Sequence, residues 1–155
     1  MLWDTGVASR LTPRLLEAVL ALRGTPEEVL LPAPAPFEIL CGLDRVRDPR
    51  ADRTAAWWRE AVLGSAGVRV APLDGDAAIV SARLRAALPL PPSARRAGRS
   101  KPEHRVAWIN DIQIAGIAWV IGRPLVTANA ADFAVLGALL RLLFPRLPAL
   151  VLREP

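Results

Sequence analysis

The sequence has little of the chemistry on which most metal sites and nucleophilic enzymes depend. Its 155 residues include one cysteine, Cys41, one histidine, His104, and no tyrosine. A lone cysteine excludes an internal disulfide and a thiolate zinc site, and a lone histidine excludes a histidine-rich metal centre. A Ser-His-Asp triad would depend on His104 alone, and tyrosine general acids are excluded. The length favours one domain with a hydrophobic core, which we place over residues 1–155.

Lysine is almost absent, while arginine is abundant. Of the 20 basic residues only Lys101 is a lysine, and against 15 acidic residues they give a net charge of +5. A basic balance favours an anionic partner such as nucleic acid, an acidic protein or a membrane surface. A coding bias toward arginine explains its abundance equally well, so the charge alone does not establish a nucleic-acid partner.

Long uninterrupted apolar runs are also missing. The two most apolar stretches are residues 112–122, which are too few for a membrane span, and 134–152, which arginines and prolines interrupt. The first residues show neither the basic nor the apolar region of a signal peptide. We therefore expect a cytoplasmic protein that does not enter a membrane.

Short apolar strands alternate with helices along the chain. Strands are predicted near residues 2–3, 29–31, 68–70, 125–127 and 149–152. The helices between them are predicted to begin at Thr12, Asp52 and Asp74, to cover about 107–121, and to follow Asp132. This alternation predicts an α/β domain with a central parallel sheet of four or five short strands flanked by helices. In such sheets, functional side chains collect at the carboxyl ends of the strands.

Four acidic residues stand at strand ends or in apolar surroundings. Asp4 ends the first strand, Glu38 lies at the start of a helix, Asp111 lies within the long apolar helix, and Asp132 follows the fourth strand. Three of them have an ordinary structural explanation, since Asp4 can cap a turn, Glu38 can complement a helix dipole and Asp132 can cap the last helix. Asp111 is the hardest to explain in this way, because no basic residue lies within one helical turn of it.

A cation would explain all four acids together. Two carboxylates ~4 Å apart repel each other by roughly 4 kcal/mol at an effective dielectric constant of about 20, so converging acids need neutralisation. With one histidine and no thiolate pair, the fitting cation is a hard one that takes oxygen ligands, Mg²⁺ or Mn²⁺. Such an ion can activate water and stabilise the charge on a phosphodiester under attack.

The order and wording of the motifs resemble the PIN domains, and specifically the VapC-type toxins of prokaryotic toxin–antitoxin pairs. The matching segments are Leu2–Ser9, Pro36–Leu43, Val70–Asp74, Asp111–Gly116 and Pro124–Phe133. They cover nearly the whole chain in the order that the family has. The resemblance implies a PIN-like three-layer domain. It also implies a Mg²⁺-dependent endoribonuclease, with Mn²⁺ able to substitute, that leaves a 5′-phosphate and a 3′-hydroxyl.

The resemblance also implies roles for individual residues. Asp4 and Asp111 match the principal metal-binding aspartates of the family, and Glu38 matches its acidic partner, so all three are expected to be catalytic. The fourth acidic position is expected at Asp132 or at Asn129, and the choice between these two stays open. The partners implied are an RNA substrate, a VapB-like antitoxin that blocks the site, and a second copy of the chain in a homodimer.

The segments after the strands also offer substrate contacts and departures from the family. Thr127 and Asn129 are expected to bind the substrate. Gly6 stands where relatives usually have asparagine, and Asn129 stands where many have aspartate. The alternative hypothesis is therefore a catalytically weak or inactive PIN-like module that binds RNA or a protein.

A basic segment precedes the Asp111 helix. It contains Arg95, Arg96, Arg99 and Lys101, which are expected to hold substrate phosphates at the mouth of the acidic site. An ordinary solvated loop is the alternative.

Two further features are assigned to the surface and the core. Arginines at positions 45, 47, 50 and 53 interleave with aspartates and are interpreted as solvated surface. Trp57 and Trp58 are adjacent and cannot share one helix face. Both are expected to be core or partly buried, and the alternative is that one lies in the core and the other contacts a subunit or an antitoxin.

Overall fold

The computed structural model describes residues 1–92 and 102–155, with the side chains of 102–104 excepted. In this part of the chain five short strands form one sheet in which every pairing is parallel. The strands are β1 (Leu2–Trp3), β2 (Leu30–Pro32), β3 (Arg69–Ala71), β4 (Leu125–Val126) and β5 (Leu152–Arg153). Their order across the sheet is β3-β2-β1-β4-β5, so the first strand of the chain is the central one. The predicted sheet is confirmed.

Helices connect the strands. They are α1 (Thr5–Ala8), α2 (Pro13–Ala21), α3 (Pro34–Arg45), α4 (Pro49–Trp57), α5 (Gly75–Ala87), α6 (Pro102–Val120) and α7 (Ala130–Leu143). A π-helical turn, Trp58–Val62, continues α4.

The sheet separates two hydrophobic clusters, because neighbouring residues of a strand point to opposite faces. Leu30 packs in a cluster with α5, α6 and α7, whereas Leu31 packs in a cluster with α2 and the π-helical turn. Helices therefore cover both faces of the sheet, as the predicted three-layer α/β architecture requires.

Several helix starts differ from those predicted. The cap of α4 is Asp48, which accepts a hydrogen bond from the backbone N–H of Arg50 at 2.8 Å, and Asp52 lies in the first turn. Asp48, and not Asp52, caps the helix because Pro49 follows it, and proline favours the first helical position. Helix α6 also begins at a proline, Pro102, about five positions before the predicted start near residue 107.

No helix of residues 1–92 and 102–155 has the length and apolar character that crossing a membrane requires.

Candidate active site

Asp4 lies at the carboxyl end of the central strand. It directly follows β1, and its side chain accepts a hydrogen bond from the backbone N–H of Val7 at 2.7 Å as the N-cap of α1. Only 5% of the residue is exposed. The predicted turn-capping role is thus correct. One carboxylate oxygen of Asp4 accepts the capping hydrogen bond, so the other oxygen is available for contacts within the site.

The second oxygen accepts a hydrogen bond from the residue that follows the neighbouring strand β4. The Thr127 hydroxyl, directly after β4, donates to Oδ2 of Asp4 and accepts a hydrogen bond from the backbone N–H of Asn129 at 2.9 Å. Thr127 is buried. Its substrate-binding role stays a prediction, while its contacts are those of a residue that positions Asp4.

Asp111 lies in the middle of α6 and is half-buried. Burial, above all, raises the pKa of its carboxyl to about 7. The remaining causes of the raised pKa are three nearby negative charges, in decreasing order those of Asp132, Glu38 and Asp4. The four predicted acids, which are far apart in the sequence, therefore share one electrostatic environment.

Asn129 connects two of these acids. Its side-chain amide donates to Oδ2 of Asp111 at 3.4 Å and to Oδ2 of Asp132 at 3.3 Å. It stands at the N-cap position of α7 without a side-chain capping bond, and Asp132 lies inside the first turn. The expectation that Asp132 caps the last helix is therefore wrong, because the helix begins two residues earlier. Both candidates for the fourth position lie beside Asp111.

The charges of the four acids are not compensated by ion pairs. In the described ranges the salt bridges are Arg59 with Asp44 and Arg69 with Glu28, and neither involves the site. In those same ranges no three His, Cys, Asp or Glu side chains form a group that could hold a metal ion as they stand. The structure thus brings the acids within electrostatic range without a cage of three carboxylates.

The donor set nevertheless fits a hard divalent cation. Mg²⁺ usually keeps several waters and is held by one or two protein carboxylates, so a three-carboxylate cage is not required. Asp4 and Asp111 offer carboxylate oxygens, and the raised pKa of Asp111 marks a negative charge that a cation would stabilise.

Gly6 lies beside the buried carboxylate of Asp4. A Cβ at this position would lie 3.6 Å from Oδ1 of Asp4, an ordinary contact, and Gly6 itself is exposed. The absence of a side chain at position 6 therefore leaves space on the solvent side of a carboxylate that is otherwise covered.

An open groove adjoins the acids. This hydroxyl groove has a volume of about 340 Å³ and is lined by Thr5, Ser9, Glu38, Ile39, Thr54 and Trp58, among others. The buried Oγ1 of Thr5 has no hydrogen-bond partner within the described residues. Glu38 lines the groove, and its negative charge also raises the pKa of Asp111, so this residue connects the groove with the acidic site.

The sequence did not reveal the groove, because its residues come from α1, α3 and α4 and form no motif. The predicted phosphate contacts Arg95, Arg96, Arg99 and Lys101 lie outside the described residues.

No family model matches the sequence, and no curated protein matches it. Solved structures do share its fold. A chain of the DNA-bound VapBC complex from Salmonella typhimurium is 18% identical, with a TM-score of 0.57 over 99% of this chain and 96% of that one. A chain of FitAB bound to an IR36 DNA fragment is 19% identical, with a TM-score of 0.60 over 99% and 94%.

A third likeness is to VapBC-5 from Mycobacterium tuberculosis, at 22% identity and a TM-score of 0.53 over 99% of this chain and 94% of that one. At such identities these likenesses establish the fold. The PIN-like α/β fold expected from the sequence, and the resemblance to toxin–antitoxin structures on which it rested, are confirmed at that level.

Proposed function

We propose that the chain is a Mg²⁺-dependent endoribonuclease that acts as the toxin of a type II toxin–antitoxin pair. The observation that carries the proposal is the convergence of three acids, Asp4, Glu38 and Asp132, on a fourth, Asp111, without an ion pair to a basic side chain among the described residues. Such an arrangement is unfavourable without a cation, and functional sites are where charges of this kind are retained.

The residues would divide the work as follows. Asp4 and Asp111 would hold Mg²⁺, which supplies an activated water and stabilises the charge on the phosphodiester. Thr127 keeps the Asp4 carboxylate in one orientation, and Asn129 does the same for Asp111. Glu38, which lines the hydroxyl groove, would hold a second ion or orient the attacking water.

The proposed partners follow from the shared fold. The neighbours are complexes named VapBC and FitAB, which supports an antitoxin of the VapB kind as the partner that blocks the acidic site. A homodimer and an RNA substrate are further parts of the proposal, and an RNA substrate would place the protein in the cytoplasm.

The deciding experiment is cleavage of RNA by the purified protein. We expect wild type to cleave with Mg²⁺ or Mn²⁺ and to stop when EDTA is added. Asp111→Asn should lower the rate by more than about 100-fold, since loss of a metal ligand exceeds the 10–100-fold effect typical of outer-shell partners. Asp76→Asn, an exposed acid on α5, is the matched control and should cleave like wild type.

Equal cleavage by wild type and Asp111→Asn would contradict the enzyme hypothesis. A second function, RNA or protein binding without cleavage, is favoured by the lack of a three-carboxylate group and by Asn129 beside Asp111. It predicts no Mg²⁺-dependent cleavage by wild type and RNA or protein binding that survives Asp111→Asn.

A further inference from the structure

A second groove lies next to the hydroxyl groove. This basic groove has a volume of about 470 Å³ and is lined by Arg50, Arg53, Thr54 and Trp57 of α4, and by Thr12 and Pro13 at the start of α2. Thr54 lines both grooves. A path therefore leads from Glu38 at the acidic site, past Thr54, to two arginines and a tryptophan.

The spacing within α4 explains why three of these side chains meet. Arg50, Arg53 and Trp57 stand at positions i, i+3 and i+7, which is one face of a helix. The arginines at positions 45, 47, 50 and 53 are all exposed, so their interpretation as solvated surface is confirmed. That interpretation does not address the helix face that two of them share with Trp57.

Two of the aspartates that interleave with the arginines make their contacts with other groups. Asp44 pairs with Arg59 at 2.6 Å, and Asp48 accepts the backbone N–H that caps α4. Neither Arg50 nor Arg53 takes part in a salt bridge within residues 1–92 and 102–155. Their guanidinium groups remain available to an anion at the groove.

Trp57 supplies an anchored aromatic ring. Its ring meets that of Trp58 edge-on, with centroids 6.1 Å apart and an interplanar angle of 84°. Trp58 is buried in the core, whereas Trp57 is half-buried and lines the basic groove. The prediction that both tryptophans are core or partly buried is confirmed, while a partner contact of Trp57 stays a prediction.

The hydroxyl groove between the two ends suits a sugar. Thr5 lines this groove, and its buried Oγ1 has no hydrogen-bond partner among the described residues. The hydroxyls of Ser9 and Thr54 donate to the carbonyls of Gly6 and Arg50, which leaves their oxygens free to accept. A ribose 2′-hydroxyl can donate and accept, and so matches this lining.

We propose that a single-stranded RNA follows this path, with a phosphodiester at the acidic site, a ribose in the hydroxyl groove, and a phosphate and a base in the basic groove. Arg50 and Arg53 hold the phosphate, and the base stacks on Trp57. The inference rests on the proposed function for its substrate class. It adds a binding subsite that determines how the strand lies, and hence which bond reaches the acids.

The first test measures binding without cleavage. The probe is a short fluorescein-labelled single-stranded RNA, titrated by fluorescence anisotropy against Asp111→Asn protein over a range of KCl concentrations, without Mg²⁺. In this background we expect the double substitution Arg50→Ala/Arg53→Ala to weaken binding at least 10-fold. The slope of log affinity against log salt should fall by about 0.7, since the two arginines hold one phosphate and each neutralised phosphate of a single strand contributes about 0.7.

The matched control removes two exposed arginines that line neither groove. Arg141→Ala/Arg146→Ala makes the same change in net charge and should leave the slope as it was. An equal fall of the slope in both double variants would reduce the effect to net charge and overturn the proposal. An unchanged slope in Arg50→Ala/Arg53→Ala would overturn it as well.

The second test addresses stacking. Trp57→Ala should weaken RNA binding by roughly 5-fold to 100-fold, and Trp57→Phe should restore part of it, because base stacking on an aromatic ring is worth about 1–3 kcal/mol. Circular dichroism of each variant checks that the fold is intact. If Trp57→Ala folds and binds like wild type, the base does not lie on this ring and the subsite is wrong.

The outcomes separate this inference from the proposed function. If wild type cleaves with Mg²⁺ but substitutions in the basic groove leave RNA binding unchanged, only the proposed subsite is wrong. If RNA binding depends on the basic groove but no variant cleaves, only the enzyme hypothesis fails. An acidic peptide that loses its binding in Arg50→Ala/Arg53→Ala, while RNA does not, would assign the groove to a protein and overturn the proposal.

Discussion

The acids at the two ends of the sheet differ in whether a basic group neutralises them. At the amino ends of the strands, the buried Glu28 lies 3.3 Å from a guanidinium nitrogen of Arg69, and its backbone carbonyl accepts from the N-terminal ammonium at 2.6 Å. At the carboxyl ends, Asp4 and Asp111 have hydrogen-bond donors but no ion pair among the described residues. The first end is neutralised by basic groups of the protein itself, whereas the second has no ion-pair partner within residues 1–92 and 102–155.

The largest expected effect separates these two ends by activity. Asp4→Asn should abolish Mg²⁺-dependent RNA cleavage, by more than about 100-fold, because it removes a proposed metal ligand. Glu28→Gln, an equivalent change at the other end of the sheet, should leave cleavage within about 2-fold and cost about 1 kcal/mol of stability. The measurements are cleavage rate and urea unfolding. Loss of cleavage in Glu28→Gln would show that the two ends are not functionally distinct.

The hydrogen bonds that hold Asp4 come next. Thr127→Val keeps the shape of the side chain but removes the hydroxyl that donates to Asp4 and accepts from Asn129. We expect cleavage to fall by about 10–100-fold, the usual cost of losing a group that orients a metal ligand. Because the effect works through the ligand, excess Mg²⁺ should restore part of the rate in Thr127→Val and none in Asp4→Asn. Equal behaviour of the two variants would contradict a positioning role.

The raised pKa of Asp111 predicts how the stability of the metal-free protein depends on pH. Since the folded pKa is about 7 and the ordinary value is 3.8, the folded state binds more protons between these values. The free energy of unfolding therefore falls as the pH rises from about 4 to about 7. After allowance for solvent screening at this half-buried group, we expect Asp111→Asn to be about 1–2 kcal/mol more stable than wild type at pH 8 and little changed at pH 4.

Urea unfolding at both pH values, in EDTA, gives the comparison. Glu28→Gln, whose acid has a basic partner, is the control and should show no gain at pH 8. If Asp111→Asn is no more stable than wild type at pH 8, the carboxylate carries little electrostatic penalty, and the contrast between the two ends of the sheet is weaker than proposed.

The smallest effect concerns Gly6. Because a Cβ there has room beside Asp4, Gly6→Ala should fold normally and gain up to about 1 kcal/mol from the better helix former. The cleavage rate should change by less than about 3-fold. A large loss of cleavage without loss of stability would mean that the substrate needs the space that Gly6 leaves beside the Asp4 carboxylate.

The acids could be predicted from the sequence because a general rule places them. Carboxyl ends of parallel strands meet at one edge of a sheet, and this rule selects Asp4 and the segment after β4 without knowledge of the coordinates. Asp111 was found from its context, an acid among apolar residues of one helix. The contact of Asn129 with two acids depends on how the loop turns, and no sequence pattern encodes it.

The basic groove could not be predicted for a related reason. Interleaved charges cancel or not according to which partner each one finds, and the partner of Asp44 lies 15 residues away at Arg59. Likewise the predicted start of α6 lies too far along the sequence. A proline in a polar, basic segment is typical of a loop as well as of a helix start, and the sequence alone does not distinguish the two.

One contact ties together two distant parts of the chain. Asp4 and Thr127 are separated by 123 positions, yet the hydroxyl of one holds the carboxylate of the other. The central strand has only two residues, and its pairing with β4 requires the chain to have been made as far as Val126. A nascent chain that has not reached Thr127 would therefore lack an assembled acidic pocket, so that the proposed nuclease activity could arise only after that point of synthesis.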